Sequence, residues 1–78
     1  MKLAMDIGHI IQFHRKKAGL SRIDLAHFAG LGKTLIYELE HGRLTVSFDK
    51  LMSICKVLNI KLIFTSPYIK EFEDSDAS

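Results

Sequence analysis

The 78-residue chain has one cysteine, one proline, no tryptophan and no long apolar run. The lone Cys55 cannot close an internal disulfide. That points to a reducing cytoplasm, where so small a domain needs another source of stability, oligomerisation being the obvious one. The apolar stretches span only a few residues, far short of the ~20 that a membrane-spanning helix needs. Lys2 is followed by no apolar h-region, so no secretory signal is expected. Acid is scarce over most of the chain: Glu71, Glu73, Asp74 and Asp76 gather at the end. Residues 1–70 hold eleven basic and five acidic side chains, so a net charge of +2 for the whole chain becomes +6 for this body. A basic body with an acidic tip suits a polyanion partner. What is present is globular in composition, with 47% hydrophobic and 26% charged residues.

The spacing predicts four helices. Ile7, Ile10, Ile11, His14 and Ala18 share one face of a first helix over residues 5–18, with Asp6 at its start and Arg15, Lys16 and Lys17 at its end. Ser21 is a cap for a second helix over 22–29, with Asp24 three residues on, and Gly30 suits the left-handed turn after it. A third helix follows Gly32 and ends at Gly42. Its Leu35, Ile36 and Leu39 face one way, and its Lys33, Thr34, Tyr37 and His41 face the other. Ser47 caps a fourth helix to about Leu58, with Phe48, Leu51, Ile54, Cys55 and Leu58 on one face. Residues 60–65 alternate with period two through Ile60, Leu62 and Phe64, which predicts a β-strand closed by Pro67.

Two short helices joined by a glycine turn, the second with a polar outer face, make a helix-turn-helix that can enter the DNA major groove. A lone strand leaves both rows of peptide groups unpaired. Residues 1–4 are only a weak candidate partner, so the simplest solution is the same strand from a second copy across a two-fold axis.

The run Leu20-Ser21-Arg22-Ile23-Asp24-Leu25-Ala26, then Gly30-Leu31, Thr34, Ile36 and Leu39-Glu40-His41-Gly42, resembles the Cro/lambda-repressor (XRE-type) helix-turn-helix family over residues 6–60. The strand directly after the fourth helix is similar to the HipB-type antitoxins. The resemblance implies an all-α, four- or five-helix lambda-repressor-like domain whose C-terminal β-strand pairs across a dimer. It further implies a sequence-specific repressor of its own operon that binds a palindromic operator and a HipA-like kinase toxin. A cytoplasmic protein associated with the bacterial nucleoid is expected, with residues 1–66 forming the DNA-binding and dimerisation domain. Residues 67–78 are expected to be a disordered acidic tail.

Position by position, the resemblance puts Arg22 on a phosphate and Lys33, Thr34, Tyr37 and Glu38 where the family reads bases. His41 and Arg43 fall where the following loop meets the DNA backbone, and Arg15 and Glu40 match a buried ion pair. Ser21, Lys16 and Lys17 complete the DNA-binding set, and Ile60, Leu62, Ile63 and Phe64 form the expected dimer interface. Chemically, Lys33 can donate to guanine, Thr34 can touch a thymine methyl or a phosphate, and Glu38 can accept from cytosine. Tyr37 can donate from its hydroxyl to a phosphate or pack on a base edge. Lys16 and Lys17 equally complement their helix end. Gly32 replaces the usual Ser or Thr cap, and Ile23 replaces a common acid and is a candidate protein contact.

No catalytic, metal or cofactor site is expected. His9, His14, His27, His41 and Cys55 lack the spacing of zinc ligands, and His14 on the apolar face suits a hydrogen-bonded core histidine. Gly32-Lys33-Thr34 resembles the end of a phosphate-binding loop, but His27 stands where that motif needs glycine. The rival reading is a protein-interaction module that keeps the fold without reading DNA, docking a partner through the tail and its Tyr68, Ile69 and Phe72.

Overall fold

The computed structural model describes residues 2–75, with side chains from Met5 onward. It contains α1 (Lys2–Lys17), α2 (Arg22–Ala29), α3 (Lys33–Glu40), α4 (Phe48–Val57) and α5 (Ile69–Glu73). The four predicted helices are present, and α1 starts three residues earlier than residue 5. Asp6 therefore lies in the second turn, and the first turn of α1 holds no acid.

Ser21 and Asp24 form a reciprocal capping box. The Asp24 N–H donates to the Ser21 hydroxyl at 3.0 Å, and the Ser21 N–H donates to Asp24 Oδ2 at 3.0 Å. Those bonds, backbone first and hydroxyl second, hold the Asp24 carboxyl below its ordinary pKa. Gly30 ends α2 at φ 71°, a left-handed conformation that a side chain rarely adopts. Its N–H and that of Leu31 close the helix onto the His27 and Ala26 carbonyls. Ser47 occupies the cap position of α4 with extended dihedrals, but its side chain makes no capping bond.

Helix α3 packs on α1 and α2, and α2 packs on α4. Ile11, Leu25, Ile36, Leu39 and Ile54 are fully buried between them, and Ala26 lets α2 lie close. His14 is half-buried, and its Nδ1–H donates to the Ile10 carbonyl at 2.7 Å. Buried Gly8 marks where α1 meets the end of α3. A Cβ there would collide with the Leu39 carbonyl oxygen and stand 3.0 Å from that of Glu40.

The C-terminal segment departs from expectation. Residues 60–66 belong to no helix and no strand, and the described residues contain no β-sheet. One copy of the segment has nothing to pair with, since residues 2–4 are already in α1. Ile60 packs against the core, whereas Ile63 and Phe64 are 82% and 75% exposed. Within residues 67–78, the expected acidic tail, Ile69–Glu73 forms α5 with no buried side chain. A helix this short gains little from its own hydrogen bonds, so α5 stands as an exposed turn after a segment without regular structure. Asp76 of the acidic tip lies outside the described residues.

Candidate nucleic-acid interface

The apolar residues of α3 at 35, 36 and 39 turn into the core, which forces Lys33, Thr34 and Tyr37 outward. The starts of α2 and α3 then face each other across an open groove of about 520 Å³. Ser21, Arg22 and Ile23 line one side, Lys33, Thr34 and Tyr37 line the other, and Arg15 lies beneath. Gly32 caps α3 without any side-chain bond, so the first N–H groups of α3 remain open to an outside acceptor. Five of the expected DNA-binding residues, Ser21, Arg22, Lys33, Thr34 and Tyr37, thus meet in one place.

A buried ion cluster holds the groove together. Arg15 Nε donates to Glu40 Oε2 at 2.6 Å, and one of its terminal nitrogens donates to Oε1 at 3.1 Å. Its other terminal nitrogen donates to the Leu20 carbonyl at 2.9 Å. Arg22 Nε adds a bond to Glu40 Oε1 at 3.0 Å. The Glu40 side chain is 0% exposed. Burial pushes its pKa up, but hydrogen bonds from Arg15 and Arg22, with their positive charge, outweigh that and leave it below the ordinary value. The cluster ties α1, the start of α2 and the end of α3 to one carboxylate.

The other expected contacts lie apart from the groove. His41 caps the end of α3, its ring stacked on Tyr37 at 3.9 Å and 21°. Glu38 accepts from Arg43 at 3.2 Å, so these two partly exposed charges answer each other. Lys16 and Lys17 are exposed at the end of α1, with Lys17 Nζ 5.8 Å from the Phe13 ring centre. Ser21 spends its hydroxyl on the capping box. The sequence reading missed the second leg of the cluster, Arg22 on Glu40, because its register depends on how α2 crosses α3. It also missed the Tyr37–His41 stack, although a spacing of i to i+4 on one helix was available to find it.

In a second groove that shares no residue with the first, Leu62 joins Ile7, Ile10, Ile11, Leu51 and Cys55 around an apolar space of about 200 Å³. Burial raises the pKa of the Cys55 thiol, as befits a small packing group. Among the described residues no three His, Cys, Asp or Glu side chains come together as metal ligands, and no helix is long and apolar enough to cross a membrane.

Short helices, a left-handed glycine turn and an outward polar helix face define a helix-turn-helix protein. The helix-turn-helix family profile matches residues 11–64, and the chain belongs to that family. It is also similar to the uncharacterized HTH-type transcriptional regulator y4mF of Sinorhizobium fredii, with 30% identity over 67 residues, covering 86% of this chain and 88% of that one.

Proposed function

We propose that the protein is a sequence-specific DNA-binding transcriptional repressor that acts as a homodimer. The observation that carries this reading is the groove at the starts of α2 and α3, where Arg22, Lys33, Thr34 and Tyr37 face outward together. Lys33 would read guanine, Thr34 a thymine methyl or a phosphate, and Arg22 would neutralise a phosphate. Glu38 stays with Arg43 until DNA competes for that arginine. Lys16, Lys17, His41 and Arg43 would meet the backbone around the groove. Family membership and the regulator relative support this reading.

Dimerisation would pair residues 60–65 of two copies across a two-fold axis, covering Leu62, Ile63 and Phe64. Its support is the exposed apolar side chains there, together with the period-two alternation of the segment. Two recognition helices would then reach half-sites about one turn (~34 Å) apart on a palindrome. The alternating segment directly after α4, whose sequence pattern is similar to that of HipB-type antitoxins, is the support for an autoregulating antitoxin whose partner is a HipA-like kinase toxin in the cytoplasm.

The test is fluorescence anisotropy on DNA from immediately upstream of the gene, with a shuffled duplex as control and salt titrated on both. Tight, palindrome-dependent binding with a steep salt slope is expected. Equal weak binding to both duplexes would remove the repressor reading and favour a protein-interaction module.

A further inference from the structure

Tyr37 is half-exposed on the outer face of α3, where a tyrosine is free to reach a base, yet its ring is already engaged twice. The Arg22 guanidinium carbon lies 5.2 Å from the ring centre. The His41 ring stacks on it at 3.9 Å, with His41 Nδ1–H donating to the Tyr37 carbonyl at 2.7 Å. Arg22 is in turn held at Nε by the buried Glu40 carboxylate. A guanidinium carries five N–H donors, and only the one on Nε is bound within the protein among the described residues. The remaining four belong to a group fixed at one edge by a carboxylate and steadied against an aromatic ring, at the wall of the groove that Lys33 and Thr34 share. Such a fork is prepared for a tetrahedral anion and loses little freedom on gripping it. Swinging Tyr37 onto a base edge would break both of its stacking contacts.

We propose that Tyr37 is a positioning residue, whose ring holds the Arg22 guanidinium ready to clamp a DNA backbone phosphate, rather than a reader of bases through its hydroxyl. The proposal rests on the DNA-binding reading above and assigns Tyr37 a role in it. Tyr37 then contributes affinity that is blind to sequence, and it does so only while Arg22 is present.

The experiment measures affinity for a random-sequence duplex over a salt series, using the full chain, Tyr37→Ala, Tyr37→Phe, Arg22→Ala and the double Tyr37→Ala/Arg22→Ala variant. Tyr37→Ala should bind about tenfold more weakly, the size of one charge-assisted hydrogen bond, with a salt slope shallower by about one. Tyr37→Phe should rescue both, and the double variant should bind no more weakly than Arg22→Ala. Ring-current shifts of the Arg22 side-chain protons should be present in the parent and in Tyr37→Phe and absent in Tyr37→Ala. Both side chains are partly exposed, so the variants should fold, which circular dichroism checks. A Phe variant as weak as the Ala variant would overturn the proposal by implicating the hydroxyl. Losses that add in the double variant would overturn it by making the two residues independent. A folded parent that binds no duplex would bring down the DNA-binding reading and this proposal together, whereas additive losses with a binding parent remove this proposal alone.

Discussion

Replacing Glu40 by Gln would keep the side-chain shape and delete the one negative charge at the centre of the arginine cluster. The Arg15 side chain is 8% exposed and cannot turn to water, whereas that of Arg22 is 33% exposed and can. One buried cation is therefore left uncompensated. Breaking a buried pair from one side costs about 3–5 kcal/mol, and the surviving amide oxygen still accepts one bond, so the lower figure of ~3 applies. At ~0.05–0.15 kcal/mol per residue, a domain of this size holds about 4–12 kcal/mol in total. The variant should thus lose a quarter to most of its stability and melt ~12–24 °C lower, at ~4–8 °C per kcal/mol. Urea unfolding followed by circular dichroism measures the loss directly. The double variant Arg15→Met/Glu40→Leu removes both charges and should recover much of the loss. A Glu40→Gln loss below ~1 kcal/mol would refute the reasoning. The pH dependence gives a second check. Glu40 has a lower pKa folded than unfolded, so its contribution is complete above the ordinary value of ~4.3 and is lost as pH falls below it. The parent should therefore lose more stability than Glu40→Gln on acidification through that range.

Gly8→Ala poses helix propensity, which favours Ala by ~1 kcal/mol, against two backbone carbonyls that cannot step aside; it should destabilise by ~1–3 kcal/mol in a thermal melt, and a rise in melting temperature would contradict the close approach of α1 to α3. Lys33→Ala should weaken operator binding by ~1–3 kcal/mol and relax one base position, whereas equal losses on operator and random DNA would make Lys33 a phosphate contact. Leu62→Lys puts a charge into the apolar groove beside α1 and α4 and should yield monomers by sedimentation; a dimer in that variant would remove the strand-pairing proposal.

The helical part of the fold was legible because its signals are local. Apolar spacing, the Ser21–Asp24 box and Gly30 each act within a few residues, and α2 begins and ends where they predict. The outward set Lys33, Thr34 and Tyr37 followed from the same periodicity. The segment after α4 was not legible as the structure has it, because alternation records a preference for extended backbone, while a strand also requires a partner. The α5 turn was hidden under an acidic composition that reads as solvated chain. Arg22 on Glu40 and Gly8 against Leu39 depend on how helices cross, and no spacing within one helix encodes that.

In the proposed complex the start of α2 and the outer face of α3 meet DNA. Amide chemical-shift mapping by NMR during titration with the upstream duplex tests this most directly. The largest shifts should fall at Ser21, Arg22, Lys33, Thr34 and Tyr37, with little change at Ile54, buried in α4. Shifts concentrated on residues 60–73 with the α3 face silent would contradict it.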